Sequence, residues 1–224
     1  MEKSVSQYVV PYDPLRPLMC FDERPCFLIG QVGAILPLSP GTAQCYHYEY
    51  EKHGSCCVFL AFESHTGLRY VEVRARRTAV DYAEFMQNLL AKHYPQVECI
   101  RLVQDNLNTH TPGAFYEVLP LGAAFELSQR FESHYTPLKG AWLNRAEIAF
   151  AALAAQCLNR RIPHDDILRQ EVLAWTAQRH RQHKAVNWKF SQNDGPRSWR
   201  RPLSATQHDS TTSLVGISFH CHET

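Results

Sequence analysis

The chain has 224 residues, of which 45% are hydrophobic and 20% are charged, and its formal net charge is +1 at pH 7. This length and composition are typical of one soluble globular α/β domain, and the balanced charge gives no indication of a nucleic-acid partner. No apolar run approaches the roughly 20 residues of a membrane span. The polar N-terminus also lacks the features of a signal peptide. Membrane and secreted classes are thereby excluded, and the sequence predicts a cytoplasmic protein.

Two local features of composition bear on possible ligands. The eight cysteines form no Cys-x-x-Cys pair and mostly lie in apolar runs, which predicts reduced core cysteines instead of a zinc site or disulfides. Short basic clusters leave two interpretations open, a contact with phosphate groups or an ordinary solvated helix face. These clusters are Arg74 with Arg76 and Arg77, Arg160 with Arg161, and Arg179 with Arg181 and Lys184.

The N-terminal half of the chain is dominated by strand-like segments. Three prolines predict an extended lead-in over residues 1–17. A first strand follows over residues 18–22, is closed by Asp22, and continues at residues 27–29. Beyond a proline-rich loop, apolar runs and polar alternation predict an antiparallel meander of three strands. Those strands are expected at residues 46–50, 56–62 and 69–74.

Helices and strands alternate in the second half. Helical periodicity with Asp81 near its start predicts a helix over residues 80–93. A buried strand over 99–103 precedes a helix that Asn108 or Thr109 would cap and that runs to Val118. Further elements are expected as a helix at 122–130, a strand at 131–136 and helices at 143–159 and 165–180. The order predicts an α/β fold with a mixed sheet, an antiparallel meander followed by βα units, and helices on both faces.

Three acidic residues stand out by their positions. Asp22 and Asp105 each close a predicted strand, and Glu147 lies early on the helix after Trp142. If the two strands are neighbours, the carboxylates meet in one cleft beyond the strand ends. Oxygen ligands of this kind select Mg²⁺ or Mn²⁺, and two such ions can act on a phosphodiester. An ordinary turn aspartate and a glutamate that serves the helix dipole explain the same positions, so the pattern alone leaves both interpretations open.

Several motifs resemble those of the IS630-type transposases, which are DDE superfamily endonucleases of the Tc1/mariner group. Cys-Phe-Asp-Glu-Arg-Pro at 20–25 is similar to their first-aspartate motif, and Val-Gln-Asp-Asn-Leu-Asn-Thr-His at 103–110 to their second. His-Tyr-Thr-Pro at 134–137 with Trp-Leu-Asn-Arg-Ala-Glu at 142–147 resembles the third. Segments 11–14, 48–50 and 156–162 match as well, so that the resemblance covers roughly residues 8–190 in order.

The resemblance implies a ribonuclease H-like fold and a catalytic, metal-binding triad of Asp22, Asp105 and Glu147. It implies Mg²⁺, which Mn²⁺ can replace, as cofactor for DNA hydrolysis and strand transfer in cut-and-paste transposition. The implied partners are double-stranded DNA, as transposon ends and target, and a second copy of the chain or a full-length transposase. The triad members lie 83 and 42 positions apart. The second spacing is longer than is usual in the wider group, which makes Glu126 and Glu132 competitors of Glu147.

The resemblance also defines expected boundaries. Residues 18–190 are expected to form the catalytic domain, and residues 191–224 an atypical and poorly ordered tail, since they lose periodicity. The family's N-terminal helix-turn-helix region does not precede Asp22, and the sequence departs from the family beyond Asp194. A split or frameshifted transposase would have these properties. The alternative is a catalytically idle remnant that binds DNA or a full-length transposase.

Five residues near the triad are candidates for supporting or DNA-contacting roles. Asn106 and Asn108 would orient Asp105 or touch the DNA backbone, or else simply complete a turn. His110 would contact a phosphate or be an ordinary histidine at a helix start. Trp142 is expected in the core, with a platform for a flipped base as the alternative, and Asn144 flanks Glu147. Glu23 is expected to point away from Asp22 and to form a salt bridge.

Overall fold

A computed structural model of the chain describes residues 6–32, 40, 49–137 and 140–182. Five strands in this part of the chain form one mixed sheet with the spatial order β3-β2-β1-β4-β5. β1 is antiparallel to β2 and parallel to β4, which in turn is parallel to β5. The strands are β1 Leu18–Gln31, β2 Tyr50–Glu63, β3 Arg69–Arg74, β4 Ile100–Gln104 and β5 Phe131–Tyr135.

Five α-helices accompany the sheet in the described part of the chain. They are α1 Ala79–His93, α2 Gly113–Val118, α3 Leu121–Gln129, α4 Ala146–Leu153 and α5 Asp165–Arg181. Short 3₁₀ turns lie at Gln7–Val9 and Ala141–Leu143, and α4 continues into a π-helical turn at Ala154–Leu158.

The sheet is buried on both faces because side chains of a strand alternate between them. On β1, Leu18 and Cys20 enter a core with α4 and α5. Met19 and Phe21 enter a second core with α1, α2 and α3. The predicted α/β class, with a mixed sheet and helices on both faces, is therefore confirmed.

The strands are longer and fewer than the sequence pattern predicts. The two apolar runs of the first strand belong to one strand, β1, so that Asp22 lies within a strand and does not close it. The segments predicted at 46–50 and 56–62 share one strand, β2, from Tyr50 onward, and residues 46–48 lie outside the described residues. Among the residues that the structure describes before α1, three strands are present, where four were predicted over the whole segment. The exposed half of β2 has no apolar alternation from which its continuity could be recognised.

A bulge interrupts the long β1–β2 ladder. The register shifts between Leu28 and Ile29, so that His53 is left without an opposite residue. Gly54 beside it has a φ of 113°, which a residue with a Cβ rarely adopts.

Two predicted helix starts are wrong. The helix expected after Asn108 or Thr109 begins only at Gly113, with Pro112 at its N-cap position. The intervening residues form a turn in which the backbone N–H of His110 donates to the carbonyl of Leu107 at 3.0 Å. The helix predicted over 143–159 likewise begins at Ala146 and changes to π-helical winding at its end.

The predicted termini are only partly described. The lead-in is not wholly extended, since Tyr8 sits in a 3₁₀ turn and is buried. The predicted tail at 191–224 lies outside the described residues. The described residues all belong to one compact unit. Within the described ranges, no helix combines the length and the hydrophobicity that a membrane span requires.

Candidate active site

Asp22 and Asp105 lie level with each other on neighbouring parallel strands. Cys20 of β1 is paired in register with Val103 of β4. Asp22 and Asp105 each follow two positions later, beyond the end of the shared ladder. Neighbouring strands run about 4.8 Å apart, so the register brings the two carboxylates to the same edge of the sheet.

Asn144 attaches the start of α4 to β1 beside Asp22. Its Nδ2 donates to the backbone carbonyl of Phe21 at 2.7 Å and lies 3.3 Å from Oδ2 of Asp22. Its Oδ1 accepts from the backbone N–H of Ala146, the first residue of α4, at 3.1 Å. Glu147, in the first turn of α4, is thereby held on the side of the sheet that Asp22 faces.

The carboxylates act on one another electrostatically. Burial, the largest cause, acts together with the charges of Glu147 and Asp105 to raise the pKa of Asp22 to about 7, against a hydrogen bond from the backbone N–H of Glu23 and the charge of His110. That hydrogen bond reaches Oδ1 of Asp22 at 2.8 Å. Repulsion among carboxylates at one site is what a bound divalent cation relieves, so the donor set fits a hard metal ion in charge and chemistry.

The carboxylates do not form a closed ligand cage. Among the described residues, no three His, Cys, Asp or Glu side chains are gathered in an arrangement that encloses a metal ion. Asp105 is instead turned in part toward His110, whose Nδ1 contacts its Oδ1. The structure therefore brings Asp22, Asp105 and Glu147 within electrostatic range and leaves their ligation of a metal a prediction.

His110 links Asp105 to Glu23. Its Nε2 lies 3.7 Å from Oε1 of Glu23, which is also 4.0 Å from the guanidinium of Arg77. Burial lowers the pKa of His110, but the contact with Asp105 and the negative charges of Asp105 and Glu23 outweigh this effect and raise the pKa to about 9. Glu23 is thus an ion-pair partner, as predicted. The link to His110 was missed, although both residues lie inside the recognised motifs.

The residues predicted to support the triad or to contact DNA differ in their exposure to solvent. His110 has no exposed surface and its ring nitrogens face Asp105 and Glu23, so a phosphate contact by its side chain stays a prediction that this arrangement does not favour. Trp142 is 43% exposed, which contradicts the expectation that it belongs to the core. Asn144 is buried, whereas Asn106 and Asn108 lie exposed on the turn after Asp105. A role of these two asparagines in DNA contact stays a prediction.

Neither competitor of Glu147 lies at this site. Glu132 is paired with Arg16 at 2.7 Å and with His134 at 3.0 Å. Glu126 is exposed on α3, where it lines a surface groove. Neither of them is among the charges that shift the pKa of Asp22.

The other sequence features have structural explanations. The cysteines at 20, 26, 56, 57, 99 and 157 are free thiols, and most are buried, as predicted. In the basic clusters, Arg74 pairs with Glu72 and Glu84, and Arg160 pairs with Glu171. Within the described part of the chain, these pairs favour the solvated-face interpretation for both arginines.

Comparisons with known proteins bear on the family and the fold of the chain. A family model described as DDE superfamily endonuclease matches residues 17–169. The Mos1 mariner paired end complex with Mn is 15% identical, with a TM-score of 0.54, over 81% of this chain and 55% of that one. The Mos1 strand transfer complex is also 15% identical, with a TM-score of 0.55, over 81% and 54%. This chain therefore spans about half the length of the Mos1 chains in those complexes.

A third similar structure holds one domain alone. The Mos1 transposase catalytic domain with Raltegravir and Mn is 15% identical, with a TM-score of 0.53, over 79% of this chain and 77% of that one. A comparison with curated proteins gives no match.

Proposed function

Because this chain belongs to the DDE superfamily endonucleases, we propose that it is the catalytic domain of a cut-and-paste DNA transposase. The ribonuclease H-like fold predicted from the sequence is confirmed by the match to the Mos1 transposase catalytic domain. The observation that carries the proposal is geometric: the β1–β4 register brings Asp22 and Asp105 to the same edge of the sheet, and Asn144 attaches the start of the helix that carries Glu147 beside Asp22. This edge lies at the end of the paired parallel strands, where α/β folds bind ligands.

In this proposal Asp22, Asp105 and Glu147 hold divalent cations, Mg²⁺ or Mn²⁺. When bound, a pair of such ions supplies the charge that activates an attacking oxygen and stabilises a leaving one. The chain's own residues position the reactants. Asn144 orients Asp22, and Asp22 must release its proton as the cation binds, so that binding strengthens as the pH rises through about 7.

DNA is the proposed partner, as transposon ends and as target. The Mos1 structures are a paired end complex and a strand transfer complex. In this chain the exposed Trp142, Asn106 and Asn108 lie near the carboxylates in positions from which they could meet a strand. Pairing of two ends requires two copies of the catalytic domain, so we propose that the chain acts as a homodimer.

Strand cleavage in Mn²⁺ tests the proposal. Nicking of plasmid DNA is expected for the wild-type chain and is expected to be lost in Asp105→Ala, while Glu132→Gln retains it because Glu132 pairs elsewhere. If Asp105→Ala nicks DNA at the wild-type rate, Asp105 does not belong to the catalytic site.

The alternative function is that of a folded, catalytically idle remnant which binds DNA or a full-length transposase. The observation in its favour is that the described carboxylates form no closed cage. It predicts no nicking and no Mn²⁺ binding by the wild-type chain, together with retained DNA binding in a mobility-shift assay.

A further inference from the structure

His110 is held in one orientation by the groups around it. Its ring stacks on Tyr82 with centroids 5.0 Å apart and meets the edge of Phe21 at 5.2 Å. Its backbone carbonyl accepts from Gln104 at 3.0 Å and from the hydroxyl of Tyr135 at 3.0 Å. Tyr82 in turn donates to Gln104 at 2.9 Å. Ring and backbone are therefore both fixed, which leaves the imidazole no freedom to follow a moving carboxylate.

Both ring nitrogens of this fixed imidazole face carboxylates. Nδ1 contacts Oδ1 of Asp105, and Nε2 lies 3.7 Å from Oε1 of Glu23. The contact with Asp105 does not depend on the charge of the ring, because a neutral imidazole with its hydrogen on Nδ1 also presents a donor to that carboxylate.

We propose that His110 is the positioning residue of Asp105, and that Glu23 holds His110 in place without itself binding metal. The contact through Oδ1 fixes the rotation of the Asp105 carboxylate. The Asp105 side chain remains 33% exposed and can present its other oxygen to a cation. This inference rests on the proposed function and deepens it, because it specifies what sets the geometry of one ligand.

Two substitutions of His110 distinguish a role in positioning Asp105 from a purely structural role of the ring. In His110→Asn, the amide nitrogen lies near the place of Nδ1 and keeps a donor toward Asp105. In His110→Gln, the amide reaches the place of Nε2 and loses that donor. Both remove the ring from the stack on Tyr82, so a purely structural role predicts similar effects from both.

The measurement is Mn²⁺ binding to the full chain by calorimetry. Loss of a group that orients a metal ligand typically weakens metal affinity by about 10–100-fold, which is the expected loss for His110→Gln. His110→Asn is expected to lose less affinity than His110→Gln. The control is Tyr94→Phe, which removes a buried hydrogen bond to Glu63, 2.6 Å long, remote from Asp105. Its Mn²⁺ affinity is expected to match that of the wild type.

The outcomes distinguish this inference from the proposed function. Wild-type affinity in His110→Gln, or equal losses in both His110 variants, overturns the positioning role and leaves the metal site intact. Absence of Mn²⁺ binding by the wild type overturns the proposed function and this inference together.

Proton NMR of the metal-free chain gives a readout that does not depend on metal. A downfield, exchange-protected imidazole N–H resonance is expected in the wild type. It is expected to vanish in His110→Gln and to shift in Asp105→Asn, but to be unchanged in Tyr94→Phe. A resonance that Asp105→Asn leaves unmoved contradicts the contact.

Discussion

Asp22 is placed where a carboxylate is costly to ionise. Strand β1 is buried on both faces up to Phe21, and Asp22 follows directly, beside Glu147 and Asp105. Its partners are a backbone N–H at 2.8 Å and the amide of Asn144 at 3.3 Å, and neither of them carries charge. Carboxyl groups with perturbed pKa values cluster at functional sites, where activity is often gained at the expense of stability.

Asp22→Asn is expected to stabilise the metal-free chain at high pH. The pKa of Asp22 in the folded chain, about 7, lies above its ordinary value of 3.8, so folding favours the protonated form. The stabilising contribution is fully present below the unfolded value and is lost as the pH rises through about 7. In chelator at pH 8 the variant should exceed the wild type by roughly 1–3 kcal/mol in free energy of unfolding, and the difference should vanish toward pH 4.

Urea denaturation across this pH range is the measurement. Glu126→Gln removes an exposed carboxylate on α3 and should stay within about 0.5 kcal/mol of the wild type throughout. If Asp22→Asn exceeds the wild type in free energy of unfolding by the same amount at every pH, ionisation of Asp22 does not destabilise the fold.

At the scale of elements, helix α1 has the best-defined start. Thr78 is its N-cap, and the Thr78 hydroxyl accepts from the backbone N–H of Asp81 at 3.2 Å. Oδ2 of Asp81 accepts from the backbone N–H of Thr78 at 2.9 Å, which completes a capping box. Aspartate early in the first turn also interacts favourably with the helix dipole.

Thr78→Ala is expected to cost about 0.5–2 kcal/mol in free energy of unfolding, because the backbone N–H of Asp81 loses its side-chain acceptor. Thr109→Ala is the matched control. Thr109 was a predicted N-cap, but the next helix begins at Gly113, so its loss should stay within about 0.5 kcal/mol. Equal costs in urea denaturation would contradict the helix start seen in the structure.

Asn144→Ala is expected to loosen α4 from β1. It leaves the buried carbonyl of Phe21 and the backbone N–H of Ala146 without these partners. Each unpaired group costs about 1–3 kcal/mol, and the loss should appear as a lower midpoint of urea denaturation. Asn106→Ala on the exposed turn is the control and should change little. If Asn144→Ala has the same urea midpoint as the wild type, packing alone holds α4 against the sheet.

How far the sequence predicts these elements depends on where their determinants lie. Helix α1 and strand β4 are recognised within one or two residues, since their signals are local: periodicity, a cap and a buried apolar run. The start at Gly113 is not recognised, because the turn before it is fixed by hydrogen bonds to the His110 carbonyl from the side chains of Gln104 and of Tyr135, which lies on another strand. The same non-local contacts explain why the Asp105–His110–Glu23 link was not predicted.

At the scale of the whole molecule, the candidate site exists only in the folded chain. Asp22 comes from β1, Asp105 follows β4, and Glu147 comes from α4. Register aligns the first two, and Asn144 brings in the third across the face of the sheet. Motif order could suggest this triad, but the spatial arrangement depends on the parallel pairing of strands far apart in sequence.

A cation that bridges three separate elements must stabilise the entire fold, because the unfolded chain offers no such site. At a Mn²⁺ concentration of 100 times the dissociation constant, linkage predicts about 2.7 kcal/mol of added stability. The thermal midpoint of the wild type should therefore rise with Mn²⁺ concentration. In Asp22→Asn and Glu147→Gln it should stay flat, and in Glu132→Gln it should rise as in the wild type, since Glu132 is paired with Arg16 and His134. If the thermal midpoint of Glu147→Gln still rises with Mn²⁺ concentration, Glu147 is not a ligand and only the two aspartates bind the metal.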